Sequence, residues 1–184
     1  MAIIESIRGE FERYKALAEA AIAQSAEPEL SREPADDGNS IATICWHVSG
    51  NLRSRFTDFL TTDGEKPWRR RDDEFLPRQV TRADLLATWE AGWSVLFAAL
   101  SGLDDSQLHA TITIRRQALR VDEALHRSLA HTAYHCGQIV LLAKHARGAE
   151  WKSLSIPRGK SDEANRNPPG QRPDEHARAL RERR

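Results

Sequence analysis

Among the seven histidines of this 184-residue chain, three have types of neighbour and spacing that could do chemistry. His131 and His135 form the motif H-T-A-Y-H. On a helix, a spacing of four sets two imidazoles about 40° apart around the axis and about 6 Å apart along it, so both share one face. Two neutral imidazoles so placed suit one divalent ion. The same spacing occurs in H-E-x-x-H zinc proteases, where the glutamate is the general base. Thr132 stands at that position here, which excludes the protease chemistry. A catalytic site with an open coordination position needs a third ligand. His47 is the candidate, beside Ile44, Val48 and Asn51 on the flank of another apolar stripe. The competing reading is a set of ordinary histidines, hydrogen-bonded inside or exposed on a helical core, and spacing alone leaves both open. His109, His126, His145 and His176 fit a ligand set less well: His126 faces away from the pair, and His145 sits among polar residues near a helix end.

The neighbours of these residues admit two readings each. Asn51, one turn after His47, could support a ligand or a bound water, or be an ordinary helix-face asparagine. Gln138 follows the pair by three and is placed to line the same cleft. Tyr134 reads as packing or a dimer contact in preference to an acid catalyst. Gly137 costs a helix about 1 kcal/mol relative to alanine, which points to a close helix approach there. Cys45 and Cys136 fall toward apolar stripes and read as small buried hydrophobes. Trp89 and Trp93, at i and i+4, read as core.

Elements that could position this set are legible in the periodicity. Ile4, Ile7, Phe11, Tyr14, Leu17, Ala18 and Ala21 recur at three and four, predicting an amphipathic helix over about 3–24. Residues 25–39, with Pro28, Pro34 and Gly38, predict a loop. Asn39 or Ser40 can cap a second helix whose apolar positions run from Ile41 to Leu60. A long charged segment, 65–80, follows. Loops of that length are often functional. Thr81 and Asp84 resemble a capping-box pair before a helix carrying Leu85, Trp89, Trp93, Leu96 and Leu100, with Gly102 at its end. The β-prone stretches 111–114 and 118–121 predict a small hairpin. Asp122 can cap the last long helix, about 123–147, with Gly148 as its stop. The architecture expected is therefore all-α, a four-helix bundle with long crossover loops and a small β-hairpin before the last helix. One domain is expected over 1–160, followed by a polar, disordered tail over 161–184.

Composition narrows the function classes. Lys+Arg and Asp+Glu are both 27, so the formal net charge is zero and no general attraction to nucleic acid or anionic membrane follows. With 40% hydrophobic and 29% charged residues the chain reads as a soluble globular protein. No run of 18 apolar residues exists, and the opening Met1-Ala2-Ile3-Ile4-Glu5 has neither a basic leader nor a long apolar region. Two cysteines make no disulfide framework, so a reducing, cytoplasmic setting is expected.

His47 followed by a distant His131-x-x-x-His135 on a final long helix resembles the DinB-like superfamily of metal-binding four-helix bundles. So do the stretches SGNLRSRFTDFL at 49–60, DGEKPW at 63–68, 129–139 and LSIPRG at 154–159, which are similar to a branch with no assigned reaction. The similarity spans about residues 3–160. It implies a bundle with long crossovers and the metal near one mouth, bound by His47, His131 and His135, and a homodimer. Relatives include metal-dependent thiol transferases and isomerases that use glutathione, mycothiol or bacillithiol, which implies a small-molecule substrate and a low-molecular-weight thiol cofactor.

Three neutral imidazoles would leave a divalent ion with an open position for a thiol or a water; imidazole suits zinc, nickel, copper and iron alike, and of these zinc or nickel is the expected cofactor. The expected function is a divalent-metal-binding protein acting as a metal-dependent thiol S-transferase. The alternatives are a metal-dependent hydrolase activating water, and a non-catalytic metal-binding or interaction bundle. Arg53, Arg55, Lys66, Arg69, Arg70 and Arg71 could grip carboxylates of a peptide-like thiol, but a network with Asp58, Asp63, Glu65 and residues 72–74 is the favoured reading of that cluster. No series of aromatics interleaves it, so nucleic acid is not expected as a partner.

Overall fold

The computed structural model describes residues 2–35, 37–168 and 170–182. Four long helices carry the fold: α1 (Ile3–Gln24), α3 (Ile41–Phe56), α4 (Arg82–Ser101) and α5 (Val121–Arg147). A single turn, α2 (Glu27–Leu30), interrupts the first crossover. Strands β1 (Thr111–Ile114) and β2 (Gln117–Arg120) form an antiparallel hairpin before α5, with Thr111 opposite Arg120. Two short helices follow, α6 (Ser161–Arg166) and α7 (Pro173–Glu182). The expected all-α bundle with a small hairpin is what the chain forms. Among the described residues no helix is long and apolar enough to cross a membrane.

Helix α3 lies along α4, and α1 lies along α5, with α3 and α5 meeting across the bundle. Phe11, Leu52, Trp89, Trp93, Leu96, Leu125 and Ile139 are all fully buried between them. Burying each such side chain contributes about 1.5–3 kcal/mol, far more than helix propensity supplies. The α3–α4 approach depends on Gly92. A Cβ at that position would lie 2.6 Å from the Ser49 Cα, so any side chain would push the helices apart. Gly137, read from sequence as a contact point, has nothing within 4 Å of where its Cβ would be. The close approach is at Gly92.

Helix ends follow local chemistry with some differences from the pattern. Ser40 caps α3, its Oγ accepting from the Thr43 N–H at 3.1 Å. Thr81 caps α4, its Oγ1 accepting from the Asp84 N–H at 3.1 Å while its hydroxyl donates to the Asp84 carboxylate at 2.7 Å. Asp122 is not the cap of α5. The helix begins at Val121, and the Arg120 N–H is taken by Glu123 Oε2 at 2.8 Å. Helix α3 stops at Phe56, short of Leu60, because Asp58 takes a left-handed φ of 49° and its carbonyl accepts from Thr61 and Thr62.

The segment expected to be a disordered tail folds back. Ala177 and Leu180 of α7 are each 1% exposed, packed against α1. Polar composition hid two apolar residues three apart, enough for one contact face on a ten-residue helix.

Candidate metal centre

His47 comes from the middle of α3, and His131 and His135 from successive turns of α5. Their Nε2 atoms converge. His131 Nε2 lies 3.2 Å from His47 Nε2 and 3.2 Å from His135 Nε2. Facing helices and a separation of 84 residues in sequence bring His47 to the pair. His47 and His135 are buried, at 5% and 8% exposure, while His131 is half-buried at the cleft.

The outer nitrogens decide which atoms face inward. His47 Nδ1 is 2.9 Å from Glu74 Oε2, so Nδ1–H donates to the carboxylate and Nε2 carries a lone pair. His135 Nδ1 is 2.7 Å from Gln138 Oε1, so it donates to the amide oxygen and again leaves Nε2 as a lone pair. Gln138 is itself oriented by donating from Nε2 to the Tyr134 hydroxyl at 3.1 Å. His131 Nε2 therefore faces two acceptors. One proton on it could satisfy only one of them, so internal hydrogen bonding does not complete the set. Three nitrogens at about 2.0–2.1 Å from a tetrahedral ion stand about 3.3 Å apart, close to the observed spacings. The donor chemistry and the spacing both fit a divalent ion, and this three-histidine group could hold one.

The electrostatics favour lone pairs over protons. Burial, then the neighbouring His135 and His47, push His131 down to about 3. Burial also lowers His135, against the raising effect of the Gln138 hydrogen bond. Neutral imidazole is the form that ligates.

Glu74 is the residue that sequence reasoning missed. It lies in a 3₁₀ turn, Asp72–Phe75, within the long charged crossover, and is 8% exposed. Arg69 clamps it with two bonds, Nε to Oε1 at 2.8 Å and Nη2 to Oε2 at 2.9 Å. Burial raises the Glu74 carboxyl, but the His47 and Arg69 hydrogen bonds and the Arg69 charge together outweigh it and hold it below the usual carboxylate range. The Phe75 ring packs on the His47 ring with centroids 4.7 Å apart and planes tilted by 37°. Gly50 makes room: a Cβ there would lie 2.1 Å from Glu74 Oε1. The sequence signal was a glycine three residues after a histidine inside an amphipathic helix, with an aromatic closing the charge run.

Other expected neighbours resolve as follows. Asn51 lines the adjoining cavity and, among the described residues, bonds to none of the three histidines; Glu74 and Gln138 hold the outer nitrogens instead. Gln138 is at the cleft, as its spacing implied. The network favoured for the basic cluster is present in part. Arg55 pairs with Glu65 at 3.2 Å and Arg69 with Glu74, whereas Arg53 lies over the Trp68 ring. Cys45 and Cys136 are buried and unpaired, and burial raises both thiols, so neither is poised to react. His109 and His126 lie outside the group.

A family profile described as "Protein of unknown function (DUF1572)" matches residues 1–160. No curated protein and no solved structure matches the chain.

Proposed function

We propose, for a chain that belongs to the DUF1572 family, a divalent-metal-binding bundle of the DinB-like kind that acts as a metal-dependent thiol S-transferase. One observation carries the reading: three inward-facing Nε2 atoms at ligand spacing, two of them with the outer nitrogen fixed by Glu74 and Gln138. His47, His131 and His135 would hold the ion, zinc or nickel. A bound divalent ion supplies Lewis acidity that favours the deprotonated form of a thiol or water near neutral pH.

The chain's own contribution is orientation and access. Glu74 and Gln138 lock two imidazoles in one tautomer and one rotamer, so little reorganisation accompanies binding. Phe75 packs against the His47 ring. The half-exposed edge of His131 opens to the adjoining cavity, which His47 also lines. The thiol arm of the reading is supported by the resemblance of residues 3–160 to the DinB-like bundles. The ligand set serves a hydrolase equally.

The test uses the full chain freed of metal with a chelator and reloaded with zinc or nickel. Loss of free thiol in the presence of an activated aryl halide, releasing halide in equal amount, is expected only with metal. His135→Ala abolishes it while helix content is retained. Metal-dependent ester hydrolysis with no thiol dependence would assign the hydrolase instead. Stoichiometric metal without either activity would assign a binding bundle.

A further inference from the structure

We propose that the cavity beside the three histidines is an oxyanion site, built to take a small ligand bearing carboxylate or phosphate groups. A cavity of about 590 Å³ opens against His47 and His131, within the size range of small-molecule sites. Among the described residues, five arginines line it (Arg55, Arg69, Arg71, Arg115 and Arg127) and no acidic side chain does.

Their pairing is incomplete. Arg69 is taken by Glu74, and Arg55 and Arg115 share the one carboxylate of Glu65, at 3.2 and 2.8 Å. Among the described residues Arg71 reaches only the carboxylate of Asp72, at 3.7 Å, whose side chain is fully solvated at 100% exposure, and otherwise lies over the Phe75 ring. An exposed pair of that geometry contributes almost nothing. Arg127 has no carboxylate partner among the described residues. Positive charge therefore exceeds negative around a concave wall, which concentrates the field inside it.

A neutral donor points to a ligand as well. Ser128 also lines the cavity, is 8% exposed, and its Oγ has no hydrogen-bond partner among the described residues. A buried hydroxyl without a partner is costly unless something fills the place. Arg127 lies one turn before His131 on α5, and Ser128 lies three residues before it. Both residues thus stand on the turn of α5 before His131, and an anion they hold shares the cavity that His47 and His131 line. That the other end of such a ligand meets the histidines rests on the metal reading above; the anion site itself does not.

Calorimetric titration of the full-length, metal-free protein at low salt with succinate and, separately, inorganic phosphate tests this. Saturable binding of either is expected, succinate alone assigning carboxylate and phosphate alone assigning phosphate. The Arg71→Gln/Arg127→Gln double variant is expected to weaken it about tenfold or more, with unchanged circular dichroism, and Ser128→Ala by a smaller factor. Arg158→Gln, an exposed arginine far along the chain, is expected to leave it unchanged. No saturable binding of either probe, wild-type affinity in the double variant, or equal weakening by Arg158→Gln would overturn the proposal. Zinc uptake by the same preparations separates the two readings. Anion binding without zinc uptake removes the metal site alone, and zinc uptake without anion binding removes the anion site alone.

Discussion

At the scale of single residues, the centre depends on groups that do not themselves face the inner space. Glu74 fixes the His47 tautomer, and Gly50 is the vacancy that lets it do so. Glu74→Gln keeps an acceptor oxygen but loses the charge and the Arg69 clamp. It is expected to lower zinc affinity about 10–100-fold, read by competition with a chromophoric chelator, with helix content unchanged. Gly50→Ala is the sharper case. It touches no histidine, yet its Cβ would displace the Glu74 carboxylate, so a similar loss of affinity is expected. Wild-type affinity in both variants would remove the orienting role. The pair at 131 and 135 was legible from sequence because helix periodicity alone sets its geometry. Glu74 was not, because its position depends on a loop folding back by 27 residues onto α3.

At the scale of elements, the crossover that carries Glu74 is anchored to the hairpin by Asp63. Its Oδ1 accepts from the Glu65 and Arg115 N–H groups at 2.7 and 2.8 Å, and Oδ2 accepts from the Arg116 N–H at 2.7 Å. Arg115 and Arg116 both adopt left-handed φ, 53° and 62°, a two-residue turn that ordinarily selects asparagine and glycine. This explains why the hairpin and the place of its turn, at Arg115-Arg116-Gln117, were readable while the left-handed conformation of Arg115 and Arg116 was not: the turn is held by a carboxylate 52 residues away. Hydrogen bonds from the Glu65 and Arg116 N–H groups, and then from Arg115, hold Asp63 below its ordinary value despite some desolvation. A depressed carboxylate stabilises the fold above its unfolded value, about 3.9, and that stabilisation is lost as pH falls through the folded value. Amide exchange in 111–120, taken relative to its intrinsic rate at each pH, is therefore expected to quicken on acidification below about pH 4 in the wild type. In Asp63→Asn it should already be faster at neutral pH and less sensitive to acid. Exchange unaltered by the substitution would contradict the anchoring role.

At the scale of the whole molecule, the bundle and the tail have separate duties. Residues 1–160 contain all three histidines, Glu74 and the arginine-lined cavity, and α7 contributes instead to the outer face of α1. Leu180→Ala is expected to cost about 2–5 kcal/mol where its burial against α1 is complete. That loss would appear as a lower Tm, with zinc affinity unaltered. A large loss of zinc affinity would show that α7 bears on the centre. The four long helices were readable because each buries one stripe, a property local to its own sequence. Their partners were not, because contacts such as Gly92 on Ser49 depend on which helix comes to lie opposite.

The central claim is that imidazoles from α3 and α5 bind one ion. X-ray absorption at the zinc edge of the protein loaded with one equivalent tests it most directly. The account predicts three imidazole nitrogens at about 2.0–2.1 Å plus a lighter-atom or sulfur ligand from solution, falling to two imidazoles in His47→Ala. A wild-type spectrum without imidazole scattering, or one unchanged in His47→Ala, would contradict it.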